Sequence, residues 1–213
     1  YINPNSTTSM TESAVAVAQA ALPEAEVLGW TNASGPPAIQ GLQDGQAAVG
    51  GVMAMVPAAR DIGADAIVIA CFDDTGLAEM RAAAHCPVFG IGQSAFQMAS
   101  LLGKRFEVLT SLAISVPVIE NNIRASGFAE SCLGVHASGL AVLEIEAGGG
   151  DVESRLVAHV AQAAERGIDA VVLGCCAMAP LRARIAGRAS ITLIDGIEAS
   201  AILAAAGHRW RHL

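Results

Sequence analysis

The chain has 213 residues, of which 53% are hydrophobic and 15% are charged, and its formal net charge at pH 7 is -8. This composition is too apolar for a disordered protein, and the acidic balance argues against nucleic acid or an anionic membrane as a partner. No uncharged apolar run reaches the ~18 residues of a transmembrane helix, and no signal-like segment opens the sequence, so we expect a cytoplasmic protein.

The first half of the chain predicts alternating strands and helices. Residues 1–6 read as a strand that leads into a helix ending near Leu22, and Ser9–Glu12 has the spacing of a capping box for that helix. An alanine-rich amphipathic helix is predicted over 46–62, followed by an apolar strand that ends before Cys71. A further strand is predicted at Val88–Ile91.

The second half predicts the same order of elements. A strand at residues 106–109 leads into a polar stretch, and an amphipathic helix is predicted over 151–166. An apolar strand then ends before Cys175, and Ile191–Ile194 forms the last strand. Strands that alternate with helices of ten or more residues indicate βαβ units and parallel sheets.

A nine-residue segment occurs twice. Gly63–Cys71 aligns with Gly167–Cys175 at an offset of 104 residues, and five of the nine positions are identical. An accident of the Ala/Val-rich composition is the alternative, but both copies end in cysteine at the same offset. The repeat favours duplication of one structural unit.

These elements predict an α/β fold with two pseudo-symmetric lobes. Each lobe is expected to be a four-stranded parallel sheet flanked by helices, with the active site between the lobes. Lobe 1 is predicted over residues 1–93, completed by a C-terminal helix over 197–213, and lobe 2 over residues 94–196. In open α/β sheets, ligands bind beyond the carboxyl ends of the strands, which is where Cys71 and Cys175 lie.

Two thiols on opposite sides of one substrate atom suit racemisation without a cofactor. One cysteine removes a proton from one face of a carbon while the other supplies a proton to the opposite face, and such a pair works best with pKa values near ambient pH. A following helix dipole is expected to lower the pKa of each thiol toward neutrality. A buried cysteine is more often a small core residue, but packing alone does not explain two at equivalent positions.

The remaining cysteines carry no predicted role in a disulfide or a metal site. The total of five is odd, which does not suit a disulfide framework and favours a reducing compartment. Cys175 and Cys176 are adjacent rather than spaced as in a zinc motif. Gly90–Ala95 fits a loose dinucleotide pattern, but it is a lone match without a well-placed acidic partner, so no nucleotide cofactor is predicted.

Several short motifs accompany the cysteines. They are Ile2–Thr7, Met10-Thr11, Gly35-Pro36 with Ile39 and Gly41, Ala70–Asp74 with Gly76-Leu77, Ser115–Pro117 with Ile119-Glu120, Leu173–Cys175 and Ile194–Gly196. In these motifs, and over essentially the whole chain, the sequence resembles the Asp/Glu/hydantoin racemase superfamily, and within it the hydantoin and allantoin racemases. The resemblance implies a two-lobed, homo-oligomeric enzyme that uses no cofactor or metal.

The resemblance also implies a substrate and a set of site residues. It predicts proton abstraction at C5 of a 5-substituted hydantoin, with Cys71 and Cys175 as the catalytic pair. The residues that it places around the ring are Asn5, Phe72, Asp73, Thr110, Ser111 and Cys176. The alternative for Asn5, Thr110, Ser111 and the two carboxylates Asp73 and Asp74 is helix capping. Two carboxylates next to a thiolate would raise its pKa, so at least one should point away.

Two departures from the family pattern matter. Relatives read Gly-Cys-Ala-Gly-Met at the second motif, where this chain has Gly174–Met178 with a second thiol at Cys176. The 104-residue offset favours Cys175 over Cys176 as the catalytic residue. Thr75 stands where proline is frequent.

Other activities stay open on the sequence alone. Allantoin racemisation shares all the motifs. Amino-acid racemases carry Cys-Asn-Thr and Cys-Thr-His after their two cysteines, and neither occurs here, while maleate cis–trans isomerases also use two cysteines. A non-enzymatic protein that binds a small molecule on a racemase fold is the alternative from a different class.

Overall fold

The computed structural model describes residues 1–213 and contains two β-sheets. The strands of the first sheet are β1 (Ile2–Asn3), β2 (Trp30–Thr31), β3 (Ile67–Ile69) and β4 (Val88–Gly90). The strands of the second sheet are β5 (Phe106–Thr110), β6 (Cys132–Ala137), β7 (Ala170–Gly174) and β8 (Thr192–Asp195). Both sheets are parallel and four-stranded, which confirms the predicted α/β fold with two lobes.

The two sheets have the same topology. Their strand orders are β2-β1-β3-β4 and β6-β5-β7-β8, so every strand of the first sheet has an equivalent four strands later in the chain. β3 and β7, which carry the repeated sequence, occupy the same inner position and are buried along their whole length. Burial on both faces explains why these strands are continuously apolar rather than alternating.

Helices connect and cover the strands. They are α1 (Thr8–Ala21), α2 (Leu42–Met53), α3 (Val56–Asp61), α4 (Leu77–Ala83), α5 (Ile91–Leu101), α6 (Val116–Ala125), α7 (Val142–Ala147), α8 (Gly150–Glu165), α9 (Arg182–Ala186) and α10 (Gly196–Arg211), with short 3-10 helices at Ala113–Ser115 and Cys176–Leu181. In α8 the buried residues Val152, Leu156, Val160 and Ala163 form one stripe at helical spacing. None of the helices combines the length and apolar character needed to cross a bilayer.

The predicted capping box at the start of α1 is wrong. The helix begins at Thr8, so Ser9 lies inside its first turn and is exposed. Thr7 occupies the N-cap position, but its hydroxyl donates to the backbone oxygen of Pro37 at 2.7 Å and makes no cap hydrogen bond. That contact is between residues 30 positions apart, which local spacing does not reveal.

The helix predicted over 46–62 is divided into α2 and α3. α2 ends at Met53, and α3 begins at Val56 with Pro57 in its first turn. In a continuous helix Pro57 would have no N–H to donate to the Met53 carbonyl, and its ring would clash with that carbonyl. The helix therefore breaks at residues 54 and 55, and α3 begins at Val56.

The hydrophobic core extends through both halves of the chain. Its larger cluster has 38 buried residues and includes members of α1, α5, β5, β7 and α10, while a smaller cluster of 11 residues lies in the first half. α10 packs on α5 and α1 and also contacts β4. The last helix thus returns to elements of the first half, although the residue boundaries of the two lobes remain a prediction.

Candidate active site

A small cavity lies where the carboxyl ends of the two sheets meet. It contains all eight site residues that the sequence predicted, from both halves of the chain. These are Asn5, Cys71, Phe72, Asp73, Thr110, Ser111, Cys175 and Cys176. Its volume is about 20 Å³, which is room for roughly one water molecule. The cleft is narrow in this structure, since this volume does not hold a ring-sized molecule.

Cys71 follows β3 in the turn that leads toward α4. The hydroxyl of Thr75 lies 3.5 Å from its sulfur and donates to it. The backbone N–H of Asp73 also hydrogen-bonds the thiol. Both contacts stabilise the thiolate form relative to the thiol. Thr75 was singled out in the sequence only as a departure from the family pattern, and its contact with Cys71 was not predicted.

Cys175 occupies the equivalent position after β7. Backbone N–H groups of Ala177 and Met178, in the 3-10 helix that follows, hydrogen-bond its thiol. The hydroxyl of Thr110 donates to the backbone oxygen of Gly174 at 3.0 Å, which fixes the strand end next to the thiol. The two cysteines are therefore held by matching devices, namely a buried strand before the sulfur and backbone donors after it.

Burial, and not a helix dipole, dominates the acidity of these thiols. Desolvation raises the pKa of Cys71 well above the ordinary range and that of Cys175 to about 12. The expectation that these values fall toward neutrality is wrong here, although the backbone N–H groups that follow each thiol do lower its pKa. Five residues separate Cys71 from the start of α4 at Leu77, so the dipole of that helix acts on the thiol from a distance.

Cys176 lies next to Cys175 as the first residue of the 3-10 helix. It is buried, and its pKa is raised well above the ordinary thiol value, by desolvation first and then by charge on Cys175 and Cys71. Negative charge on Asp195 also raises the pKa of Cys176, and negative charge on Cys176 raises the pKa of the Tyr1 hydroxyl. Cys176 lines the cavity, and the 3-10 helix that it begins contacts α10.

The alternative role of helix capping fails for Thr110 and Ser111. The Thr110 hydroxyl bonds Gly174 as described, and the N-cap of the next 3-10 helix is Leu112. Asn5 has a local structural role, since its side-chain oxygen accepts from the backbone N–H of Thr7 at 2.9 Å and from the Asn3 amide at 2.9 Å. The Asn5 side chain thus holds the turn between β1 and α1 while it lines the cavity.

The neighbouring carboxylates Asp73 and Asp74 have different surroundings. Asp74 accepts the backbone N–H groups of Gly92 at 2.9 Å and Gln93 at 2.8 Å, at the start of α5. A Cβ on Gly92 would lie 2.4 Å from the backbone oxygen of Phe72 and 3.0 Å from this carboxylate. The glycine pattern that resembled a nucleotide motif therefore makes room for Asp74, whereas Asp73 lines the cavity.

The cavity wall also contains residues that were not predicted as site residues. They are Met10, Ile39, Ala70, Ser115, Val142 and Gly174. All but Val142 occur in motifs that carried the resemblance, so the signal was present without a stated role. Val142 starts α7 and had no sequence signal. The wall includes no Lys, Arg or His.

Hydrogen bonds between the two halves close the cleft. The backbone N–H of Val142 donates to the Gln40 side chain at 3.2 Å, and the Asn122 amide donates to the backbone oxygen of Asp73 at 2.9 Å. Gly41, next to Gln40, packs against Ile114, and a Cβ there would lie 3.1 Å from the Ile114 backbone oxygen. These contacts hold the two halves together beside the cavity.

Larger cavities lie away from the cysteines. One of about 840 Å³ is lined mainly by apolar side chains near Tyr1, at the opposite ends of β1 and β3. Another of about 210 Å³ borders Glu107, whose carboxylate pairs with Arg166. Size alone would favour the first, but ligands of open parallel sheets bind at the carboxyl ends of strands, where the thiols are.

We expect the protein to lose thermal stability as the pH rises from 5 to 8. Burial raises the pKa of Asp73 and of Asp74 to about 7, whereas in the unfolded chain such carboxyls ionise near pH 4. Between these values only the unfolded state releases the protons, so the stability present at low pH is lost as pH rises, by on the order of 2 kcal/mol per carboxyl. Scanning calorimetry at constant ionic strength measures this, and a rising Tm would contradict it.

Comparison with known proteins gives a consistent picture. The family described as Asp/Glu/Hydantoin racemase matches residues 1–204. The chain is 39% identical to a hydantoin racemase of Rhizobium meliloti over 210 residues, which are 96% of this chain and 86% of that protein. An allantoin racemase from Klebsiella pneumoniae superposes with a TM-score of 0.92 at 33% identity, covering 96% of this chain and 84% of that one. An allantoin racemase from Pseudomonas fluorescens gives 0.89 at 29%, covering 99% and 90%.

Proposed function

The chain belongs to the Asp/Glu/hydantoin racemase family, and on that premise we propose that it inverts C5 of 5-substituted hydantoins without a cofactor, by proton transfer between Cys71 and Cys175. One observation carries the proposal. Two thiols that follow equivalent strands, β3 and β7, line one cavity between the sheets. Packing in a single core does not require that symmetry.

The chemistry of a hydantoin suits this pair. The C5 proton lies beside the C4 carbonyl, so its removal sends the C–H electrons toward the carbonyl oxygen and forms an enolate. The thiolate on one face gains the proton, and the thiol on the other face gives its own proton to C5 and becomes the thiolate. The roles of Cys71 and Cys175 are exchanged after each turnover, so the reaction runs in both directions.

The high pKa of the buried thiols fits a cleft that opens and closes. When the lobes separate, water reaches the sulfur atoms and removes the desolvation that raises their pKa. Closure around a substrate then excludes water and leaves a strongly basic thiolate next to C5. The closed cavity of about 20 Å³ has no room for the ring, so this cycle requires opening.

We expect the protein to exchange C5 hydrogen for deuterium in a single enantiomer of a 5-alkyl hydantoin in D₂O while the optical rotation decays. Proton NMR and polarimetry on the same sample measure the two rates, and a protein-free sample gives the spontaneous rate. Exchange must accompany loss of rotation because inversion replaces the abstracted proton. Tight binding without exchange on any hydantoin would instead support the non-enzymatic binding protein.

Allantoin is the second candidate substrate, because two allantoin racemase structures superpose closely on this chain. Allantoin carries a polar ureido group on C5. The apolar cavity residues Met10, Ile39, Phe72 and Val142 favour an apolar C5 substituent instead. Rates on allantoin and on 5-alkyl hydantoins under the same conditions decide between them.

Substrates with free carboxylates fit the cavity poorly. Free amino acids and maleate each bring at least one carboxylate, and the cavity wall offers no Lys, Arg or His to pair with it. A buried charge without a partner is strongly unfavourable. Amino-acid racemisation and maleate isomerisation are therefore weaker candidates, and the absence of a covalent adduct with maleate in mass spectrometry is the expected result.

A further inference from the structure

Asp73 is the only carboxyl group in the cavity wall. Its Oδ2 atom is the one buried side-chain oxygen or nitrogen of the chain that has no hydrogen-bond partner. The backbone N–H of Gly41 hydrogen-bonds the carboxyl, a smaller effect on its acidity than desolvation. Since buried polar atoms in native proteins are nearly always paired, an orphaned oxygen at this place calls for an explanation.

Other buried aspartates are fully explained by the fold. Asp74 accepts two backbone N–H groups at the start of α5. Asp195 accepts the N–H groups of Ile197 and Glu198 at the start of α10. Asp73 has no such helix to cap, and its partner is missing from the protein itself. A bound substrate is the natural source of that partner.

Charge determines which form of Asp73 suits the reaction. A negative charge on Asp73 raises the pKa of both Cys71 and Cys175, so the carboxyl lies near both thiols. The proposed reaction already carries one negative charge, which passes from a thiolate to the enolate oxygen. No cation in the cavity wall balances a second one, and a second anion would disfavour the enolate.

A neutral carboxylic acid has an O–H that can donate to a substrate. Two other side-chain donors of the cavity wall, Thr110 and Asn5, are already engaged within the protein. The Thr110 hydroxyl donates to the Gly174 backbone oxygen, and the Asn5 amide nitrogen contacts the Met10 sulfur. Burial raises the pKa of Asp73 to about 7. The titratable groups around it are Cys71 and Asp74 on its own segment and Cys175 and Cys176 across the cavity, with Glu146 of α7 acting on the latter two.

Building on the proposed racemisation, we propose that Asp73 is a further catalytic residue, which as a neutral acid donates a hydrogen bond to the substrate carbonyl oxygen that becomes the enolate oxygen. The hydrogen stays on Asp73 throughout, so only the C5 proton is transferred. Such a donor acts where negative charge grows in the transition state, which lowers the barrier more than it strengthens ground-state binding.

The test compares Asp73→Asn and Asp73→Ala with the wild-type protein on one 5-alkyl hydantoin between pH 5.5 and 9. At pH 6 the amide still donates, so Asp73→Asn should keep kcat within about tenfold, while Asp73→Ala should lose about 10²-fold in kcat with a smaller change in KM. Because the amide does not ionise, the ratio of Asp73→Asn to wild-type kcat/KM, which reports ionisations of the free protein, should rise with pH above 7 by about tenfold per unit.

Asp44→Asn is the matched control. Asp44 accepts the backbone N–H of Gln40 in the loop that closes the cleft, but it does not line the cavity. The ratio of its kcat/KM to that of the wild type should not change with pH. Thermal unfolding at pH 8 checks folding, and Asp73→Asn should be at least as stable as wild type because it removes a buried ionisable group.

Two results overturn the inference and are distinguishable. A wild-type protein that racemises hydantoins, with an Asp73→Asn to wild-type ratio that is constant over the pH range, shows that Asp73 does not act as a neutral donor. A wild-type protein that exchanges no hydantoin at any pH removes the proposed function, and the role of Asp73 with it.

Discussion

Cys71→Ser and Cys175→Ser should each lower the rate of hydantoin racemisation by about 10³-fold. A serine hydroxyl fills nearly the same volume as the thiol, but it is a far weaker acid and cannot serve as the general base or acid near neutral pH. Both substitutions should be equally damaging, since inversion needs a proton donor on one face and an acceptor on the other. Polarimetry on each enantiomer measures the loss.

Deuterium exchange in the same variants separates the two thiols. With only one cysteine left, the protein can remove the proton only from the face that this cysteine contacts. Each variant should therefore retain some C5 exchange on one enantiomer, and the two variants should prefer opposite enantiomers. Loss of exchange on both enantiomers in both variants would indicate a shared structural role and contradict the division of roles between the thiols.

Cys86 and Cys176 provide the matched controls. Cys86 is partly exposed and outside the cavity, so Cys86→Ser should leave the rate unchanged. Cys176→Ser should keep activity within about tenfold, because Cys176 lines the cavity but lacks an equivalent 104 residues earlier. An active Cys175→Ser variant beside an inactive Cys176→Ser variant would show that the repeat identified the wrong thiol.

Phe96→Ala should lower the free energy of unfolding by about 3–5 kcal/mol. Phe96 is fully buried in α5. Its ring contacts the Phe72 ring edge-on, with 5.6 Å between the ring centroids, and stacks on the Phe106 ring, with 5.9 Å between the centroids. Phe72 belongs to the cavity wall and Phe106 starts β5. Removal of the ring leaves a cavity that both halves of the chain border, so the surroundings cannot collapse easily.

Chemical denaturation and the Tm measure this loss, which corresponds to a fall of roughly 10 °C for a chain of this size. Leu101→Ala is the control on the same helix, because Leu101 is 67% exposed and its loss should cost less than about 0.5 kcal/mol. Similar effects of the two substitutions would show that the aromatic cluster does not join the halves. Because Phe72 packs against Phe96, the Phe96→Ala protein that remains folded should also racemise hydantoins more slowly.

The fold was predictable because its signals are repeated. Residues 63–71 and 167–175 share their pattern, and continuous apolar runs flanked by amphipathic helices identify inner strands of parallel sheets. The equal strand orders of the two sheets follow from that duplication. Predictions of local detail were wrong where a residue distant in the chain made the contact. The Thr7 hydroxyl, for example, donates to the backbone oxygen of Pro37 and does not cap α1.

The candidate site was predictable as a set of positions but not as an environment. The parallel strands of each sheet bring their carboxyl ends to one edge. Once these edges of the two sheets face each other, the residues after β3 and β7 come close together. Whether a thiol there is acidic depends on solvent exclusion by both halves at once. The sequence-based expectation of acidic thiols was wrong for that reason, since burial outweighs the backbone donors at Cys71 and Cys175.

The amino-acid sequence by itself determined the duplicated α/β architecture and the two strand-end cysteines, because these depend on periodicity and spacing along the chain, and its short motifs carried the resemblance to the family. Only the tertiary structure decided that Asp74 binds the start of α5 while Asp73 keeps an unpaired oxygen at the cavity. Adjacent carboxyls have nearly the same sequence context. Their roles differ because hydrogen-bond partners and burial come from residues that are distant in the chain and close in space.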